Sequence, residues 1–164
     1  MDITDNGFWS VSTCKQDCGI RNLFDDDDET FWQSSGDENH FIRCQFYNRV
    51  CISEIQLLIN ITNDESYTPS KVSIYLGDVL DTIKEYEEYV IDSFDGWVSL
   101  PLIHDNKYPK AFYLEIHIIE RFENGTDCRI RQIKVKSPKN EEESTATLLT
   151  NQYANNIELA SLHI

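Results

Sequence analysis

Residues 24–36, FDDDDETFWQSSG, gather side chains that could do chemistry, because four aspartates and a glutamate precede a threonine and two aromatic residues. Calcium takes roughly six to eight oxygen ligands, usually from alternating residues, and a glycine permits the sharp turn between them. Here the carboxylates of residues 25–28 are adjacent, and the first glycine is Gly36. The spacing therefore favours a turn that leads into the apolar rings of Phe31 and Trp32, with no metal bound.

Catalysis needs a nucleophile with a base within hydrogen-bond reach and an orienting group behind that base. The four histidines stand in unrelated settings, at His40, His104, His117 and His163. The sequence also has no GxSxG, no HExxH and no glycine-rich phosphate loop. We therefore predict a protein that is not an enzyme, with no catalytic residue and no cofactor.

Length and charge limit the classes of function further. The chain has 164 residues, which suits one domain with a sizeable core. Its net charge of −15 would repel a phosphate backbone and an anionic membrane surface. Its longest apolar runs fall far short of the roughly 20 residues that cross a bilayer. We therefore predict one soluble domain that binds neither nucleic acid nor membrane, although an acidic surface also suits basic peptides.

Cysteine content and the first residues indicate a cellular compartment. The five cysteines are odd in number and form no CxxC pair or zinc signature. The opening MDITDNGFWS has neither the basic nor the apolar region of a secretory signal. Both observations favour reduced thiols in an intracellular protein of the cytosol or nucleus.

Alternating apolar residues predict β-strands along most of the chain. Residues 71–77 alternate in this way, and residues 111–120 do so with Phe112, Leu114 and Ile116 on one face. Six further segments carry similar patterns, at residues 8–14, 40–46, 52–61, 87–93, 96–102 and 128–138. Eight strands without a long amphipathic helix predict an all-β fold, a β-sandwich.

The last predicted strand changes phase partway along. Cys128 and Ile130 occupy one phase of the alternation, and Ile133 and Val135 occupy the other. Either a β-bulge near residues 131–132 restores the alternation, or the strand changes faces at this point.

Beyond Pro138 the sequence becomes polar and charged without periodicity, and it ends in the apolar IELASLHI. We therefore divide the chain into a domain at residues 1–138 and a C-terminal tail at residues 139–164. The apolar end of the tail either docks in a groove of another protein or folds back on its own domain.

Two polar segments between predicted strands are candidates for a binding site. Residues 63–71, NDESYTPSK, combine polar side chains with a proline, and residues 123–129 contain the tight-turn pair Asn124-Gly125. Loops on one rim of a sandwich often hold binding residues. From spacing alone, each segment is either a plain turn or part of such a rim.

Five blocks of sequence together resemble a known family. They are WSVSTCK at 9–15, LFDDDDETFWQSSG at 23–36, NDESYTPSKVSIYLG at 63–77, GWVSLPL at 96–102 and NGTDCRIRQIKVKSP at 124–138. In this order they are similar to the DOC domain family. The resemblance implies a jelly-roll β-sandwich like that of galactose-binding domains, without catalytic activity of its own.

The resemblance also implies a function. DOC domains serve the anaphase-promoting complex, a ubiquitin ligase of the nucleus and cytoplasm. They act there as co-receptors that hold the destruction box, a short degron, together with a WD40 co-activator, and so promote processive ubiquitination. Implied partners are destruction-box substrates, the co-activator, and core subunits of the cullin, large-scaffold and tetratricopeptide-repeat types. The residues that correspond to the degron-facing loops are Asp64, Glu65, Ser66, Tyr67, Asn124, Gly125 and Asp127.

The sequence departs from the family in two places. Thr126 stands in the second loop where the family usually has a basic residue. The family commonly ends in Ile-Arg, which docks on a tetratricopeptide-repeat subunit, whereas Leu162, His163 and Ile164 form the docking tail expected here. The alternative function is a carbohydrate-binding module of the same jelly-roll fold, which would need exposed aromatic rings that stack on sugars.

Overall fold

The computed structural model describes residues 1–37, 39–92 and 94–139 of the chain. Strands make up most of this part. They are β1 Gly7–Val11, β2 Trp32–Gln33, β3 His40–Cys51, β4 Glu54–Asn60, β5 Pro69–Gly77, β6 Lys84–Val90, β7 Asp95–Pro101, β8 Lys110–Arg121, β9 Arg129–Ile130 and β10 Gln132–Lys136. The predicted docking residues Leu162, His163 and Ile164 lie outside the described residues, so the tail stays a prediction.

Helical structure in the described residues is limited to single turns. They are α1 Ile61–Asp64 and the 3₁₀ turns Ile20–Leu23, Glu65–Tyr67, Leu80–Thr82 and Phe122–Asn124. Among the residues that the structure describes, no helix has the length and apolar character needed to span a membrane.

The strands form antiparallel sheets. The larger sheet has the strand order β1-β3-β8-β5-β6, the smaller has β10-β4-β7, and β2 pairs with β9 in a short ribbon. One buried apolar cluster contains residues of the five-stranded and the three-stranded sheet, which therefore pack face to face. This arrangement confirms the predicted all-β sandwich.

Side-chain alternation explains why these segments form strands. In β4, Ile55, Leu57 and Ile59 are buried, whereas the residues between them are half-buried on the outer face. Leu114 and Ile116 of β8 are buried against them in the same cluster. Each inner face thus supplies the apolar area whose removal from water stabilises the sandwich.

The expected position of Phe112 in the core is wrong. Its ring is 36% exposed, whereas Leu114 is fully buried. The register between β3 and β8 shifts between Gln45 and Val50, so that Val50 pairs with Ala111 and Gln45 with Tyr113. The buried phase of β8 changes between Ala111 and Leu114, beside this irregularity, and the apolar pattern of β8 alone does not reveal the change.

The phase change in the last predicted strand has a structural cause. The strand is interrupted at Arg131: β9 pairs with β2, whereas β10 pairs with β4 in the smaller sheet. The Arg131 amide donates a hydrogen bond to the carbonyl oxygen of Leu58 at 2.9 Å. The chain therefore moves from one sheet to another at this residue, and the buried phase changes with it.

Trp32 of the short strand β2 is the largest fully buried side chain described. Its indole Nε1 donates a hydrogen bond to the carbonyl oxygen of Thr13 at 2.9 Å, which ties β2 to the segment after β1. A buried indole combines a large apolar area with one polar atom that needs a partner. Residues 24–36 thus contribute to the fold through an aromatic anchor.

We predict that Trp32→Phe lowers the free energy of unfolding by about 1–3 kcal/mol, because it leaves a cavity and removes the hydrogen bond to the Thr13 carbonyl oxygen. Urea-induced unfolding measures this loss. The matched control is Trp97→Phe, since Trp97 is 40% exposed and its change should cost clearly less. Equal losses in the two variants would contradict the anchoring role.

Candidate functional site

Two connections meet at one end of the sandwich. The first runs from α1 through the turn Glu65–Tyr67 into β5, and the second runs from the turn Phe122–Asn124 to β9. They are in direct contact, because a Cβ atom on Gly125 would overlap the carbonyl oxygen of Ser66. Only glycine permits this approach of the two backbones. We call these two connections, residues 61–68 and 122–128, the two-loop rim.

The backbone of the two-loop rim is strained at three positions. Glu65, Glu123 and Asn124 have φ angles of 49°, 56° and 56°, in the region that favours glycine. Such conformations cost on the order of 1 kcal/mol or more each for residues with a side chain, although asparagine tolerates them better. Surrounding contacts must hold them, and strained backbone of this kind clusters at functional sites.

Hydrogen bonds connect the two loops to each other and to β8. The Phe122 amide donates to the carbonyl oxygen of Thr68 at 3.0 Å. Arg121, the last residue of β8, donates from Nε to the carbonyl oxygen of Gly125 at 2.8 Å. Asn60 caps α1, because its side-chain oxygen accepts from the Asn63 amide at 3.0 Å. The rim is therefore a built structure with defined partners for its backbone.

Asp64 belongs to the first loop of the rim but is buried, with only 1% of its surface exposed. Its carboxylate accepts two hydrogen bonds from Arg131, from Nε at 3.0 Å and from a terminal nitrogen at 2.8 Å. These bonds raise the pKa of Arg131 against the opposing effect of burial. Arg129 lies 3.5 Å from the same carboxylate. The structure thus places this predicted site residue in a buried ion pair that faces two arginines.

Asp127 joins the second loop to the segment after β2. The Ser34 hydroxyl donates to its carboxylate at 3.0 Å and accepts from the Cys128 amide at 2.9 Å. The His40 ring nitrogen Nε2 lies 3.1 Å from the carbonyl oxygen of Thr126 and 3.5 Å from the Asp127 carboxylate. With 26% of its side chain exposed, Asp127 remains accessible from solvent.

The thiol of Cys128 lies below this part of the rim. Burial raises the pKa of Cys128 to about 12, so the side chain stays protonated at neutral pH. A neutral thiol behaves as a small apolar group. Cys128 therefore belongs to the apolar support of the loop and offers no nucleophile.

The remaining predicted site residues lie at the surface of the rim. Glu65 and Asn124 are exposed, and Ser66, Tyr67 and Gly125 are half-buried. Chain continuity and the contact between the loops bring them together at one end of the molecule. They offer a carboxylate, an amide, a hydroxyl and a phenol to a polar ligand.

Arg129 is a member of this site that the sequence reasoning missed. Its guanidinium carbon lies 4.4 Å from the ring centre of Phe31 and 4.1 Å from that of Tyr67. Its Nε also donates to the side-chain oxygen of Gln33 at 2.8 Å. Because these partners are distant in sequence, no local spacing could have shown the contact.

The acidic segment at residues 25–28 is exposed at the surface, as expected of a turn. Gln132 Nε2 lies 2.7 Å from the Asp25 carboxylate and 3.0 Å from the carbonyl oxygen of Asp27. Arg131 donates to the carbonyl oxygen of Asp28 at 2.7 Å. The turn is thus fastened to the start of β10. Within the described ranges, no group of three or more His, Cys, Asp or Glu side chains is placed to hold a metal ion.

The carboxylate of Asp25 is the titratable anchor of this turn. Burial acts to raise its pKa, but hydrogen bonds from Thr30, the Asp27 amide and Gln132 together hold the pKa below its usual value. The Thr30 hydroxyl donates to it at 2.5 Å. A depressed pKa in the folded state means that the ionised form stabilises the fold.

We predict that Asp25→Asn lowers stability at pH 6 and that the difference from the unchanged protein shrinks on acidification. The contribution of Asp25 is complete above the unfolded-state pKa of about 3.9, and it is lost as pH falls through the lower folded-state pKa. Thermal unfolding between about pH 6 and pH 2.5 measures it. Asp26→Asn is the control, since no described residue bonds to that carboxylate. A difference that stays constant with pH would contradict the assignment.

We predict that Asp64→Asn destabilises the protein by about 3–5 kcal/mol, because Arg131 would keep a buried charge without its partner. Denaturant unfolding measures the change. Asp78→Asn is the matched control, since the Arg49–Asp78 pair at 3.1 Å has both side chains about half exposed. Its loss should cost less than about 1 kcal/mol. Similar losses in the two variants would show that the Asp64 pair is not the anchor.

Sequence comparison gives a match over nearly the whole chain. The family described as "Anaphase-promoting complex, subunit 10 (APC10)" matches residues 1–161. "Anaphase-promoting complex subunit 10" of Homo sapiens is 33% identical over 85% of this chain and 76% of its own length. The protein of the same name in Dictyostelium discoideum is 37% identical over 85% and 74%. "Anaphase-promoting complex subunit DOC1" of Saccharomyces cerevisiae is 28% identical over 86% and 58%.

Comparison with solved structures identifies the fold. CpGH89CBM32-5 from Clostridium perfringens, in complex with GalNAc-beta-1,3-galactose, superposes with a TM-score of 0.70 at 12% identity, covering 84% of this chain and all of its own. The family 32 CBM from C. perfringens NanJ, in complex with galactose, has a TM-score of 0.68 at 13% identity, covering 82% and 96%. These likenesses confirm the predicted jelly roll of the galactose-binding type.

Proposed function

Because the chain belongs to the family of anaphase-promoting complex subunit 10, we propose that it is a non-catalytic co-receptor for the destruction box, acting beside a WD40 co-activator. The family itself makes the chain a subunit of this ubiquitin ligase. We assign the degron contact and the resulting processive ubiquitination to the two-loop rim. The observation that carries this proposal is the contact of the two loops at Gly125 and Ser66, which joins the implied residues into one surface.

The chemistry of the rim suits a polar, extended peptide. Exposed Asn124 supplies an amide that both donates and accepts, and half-buried Ser66 supplies a hydroxyl. The carboxylates of Glu65 and Asp127 suit an amine or guanidinium of the degron. Asp64 is committed to Arg131, so we propose that it supports the rim from below and does not touch the degron.

Binding at such an open rim fits a shared receptor. A peptide held by two weak surfaces gains from the high effective concentration at the second surface once the first is engaged. The co-activator would supply the other surface. Longer residence of the substrate then allows more ubiquitin additions in one encounter, without any catalytic group on this chain.

The same proposal covers assembly and compartment. We propose that the chain joins the cullin, large-scaffold and tetratricopeptide-repeat subunits of the complex in the nucleus and cytoplasm. Leu162, His163 and Ile164 are assigned to docking on a tetratricopeptide-repeat subunit. Carbohydrate binding is not proposed, because likeness at 12–13% identity supports the fold alone.

We predict that Asn124→Ala, combined with Ser66→Ala and Asp127→Ala, lowers the processivity of ubiquitination several-fold on a destruction-box substrate. The reason is the loss of polar partners for the degron at the rim. Ubiquitin chain length per substrate encounter, measured with the reconstituted ligase, checks this result. A substrate without a destruction box should be ubiquitinated equally by the ligase with the triple variant and by the ligase with the unchanged chain.

Asn106→Ala provides the matched control for the asparagine change. Asn106 is exposed and has a φ of 60°, close to that of Asn124, but it precedes β8, whereas Asn124 follows that strand. The two residues therefore lie at opposite ends of the sandwich. Full processivity in the triple variant, with normal incorporation into the complex, would refute the assignment of the degron to this rim.

A further inference from the structure

We infer that Arg129 is a positioning residue of the two-loop rim, which it holds through the contacts of its guanidinium with the rings of Phe31 and Tyr67. This inference deepens the proposed function, on which its degron readout rests. The guanidinium carbon lies over both rings, 4.4 Å from the ring centre of Phe31 and 4.1 Å from that of Tyr67. A cation at this distance from a ring centre is attracted by the negative face of the ring.

Polar contacts fix the guanidinium in addition to the two rings. Gln33 and Arg129 are direct cross-strand partners in the β2–β9 ribbon, and the Arg129 Nε donates to the Gln33 side chain at 2.8 Å. A terminal nitrogen lies 3.5 Å from the Asp64 carboxylate. One planar group therefore contacts Phe31 in the segment before β2, the first loop of the rim and the β2–β9 ribbon.

Only arginine has the shape for this set of contacts. Its guanidinium is flat, so it can contact aromatic rings while its edge donates hydrogen bonds. A lysine ammonium carries the same charge but is compact and strongly hydrated, and it lacks the flat group that makes these contacts together. With 20% of its side chain exposed, Arg129 is largely withdrawn from solvent and is available as internal support.

The position of Tyr67 decides the geometry of both loops. Tyr67 stands between Ser66, whose carbonyl oxygen contacts Gly125, and Thr68, whose carbonyl oxygen accepts the Phe122 amide at 3.0 Å. If the ring of Tyr67 lost its support, both links to the second loop would loosen together. Arg129 thus links the β2–β9 ribbon to Tyr67 and so to the surface that we assign to the degron.

Hydrogen exchange and processivity of Arg129→Lys test this inference. In the full chain, we expect amide exchange in residues 65–68 and 122–125 to rise several-fold, with little change in β4 and β8. In the reconstituted ligase, destruction-box-dependent processivity should fall several-fold while the subunit assembles normally. Arg43→Lys is the matched control, because the Arg43 guanidinium also lies over a ring, Phe41 at 5.2 Å, and pairs with Glu115.

A second pair of variants separates stacking from general stability. Phe31→Leu removes one ring of the stack and should reproduce the effects of Arg129→Lys, whereas Phe31→Tyr retains a ring and should leave exchange and processivity unchanged. Phe31 is not among the residues assigned to degron contact, so these variants leave the binding groups in place. Equal effects of the leucine and tyrosine variants would overturn the stacking role.

The outcomes distinguish this inference from the proposed function. Unchanged exchange at residues 65–68 in Arg129→Lys overturns the positioning role, whatever the degron does. If Arg129→Lys raises exchange but keeps full processivity, while the Ser66, Asn124 and Asp127 triple variant lowers processivity, the role of Arg129 in the degron site is also overturned. If the triple variant has no effect either, the degron assignment fails, and the exchange data alone then support or overturn Arg129 as the support of the rim.

Discussion

The buried ion pair between Asp64 and Arg131 is the constraint on which the two-loop end of the molecule depends. Removing two charges from water is costly, so such a pair adds little net stability compared with apolar residues of similar size. Its two hydrogen bonds, at 3.0 and 2.8 Å, instead allow one orientation of α1 relative to the ribbon. The pair therefore contributes by fixing the orientation of α1. Loss of one partner would leave an uncompensated charge in the interior.

Arg131 occupies this position because the chain changes sheets there. The residue separates β9 from β10, so its side chain does not follow the alternation of a regular strand. One edge of the guanidinium meets Asp64, and another nitrogen donates to the carbonyl oxygen of Asp28 at 2.7 Å. The residue at the interruption of the strand thus also attaches the acidic turn.

Alternation of apolar residues was sufficient to predict the sandwich, because burial of one strand face leaves a period of two in the sequence. It failed for the two-residue strand β2, which is too short to show a period, and for Phe112, which lies beside a register shift between β3 and β8. The site was harder to predict. The family resemblance indicated both loops, but not that Asp64 is buried, because the burial of a carboxylate depends on an arginine 67 positions away.

The acidic turn and the two-loop rim form one connected structure, although they are far apart in sequence. Gln132 donates to the Asp25 carboxylate and to the carbonyl oxygen of Asp27, and the ring of Phe31, a few residues later, contacts the guanidinium of Arg129. The same guanidinium contacts the ring of Tyr67, next to Ser66 of the rim. Residues that look like a charged metal loop therefore act through hydrogen bonds and an aromatic ring. Their packing determines the shape of a surface to which they supply no ligand-binding group.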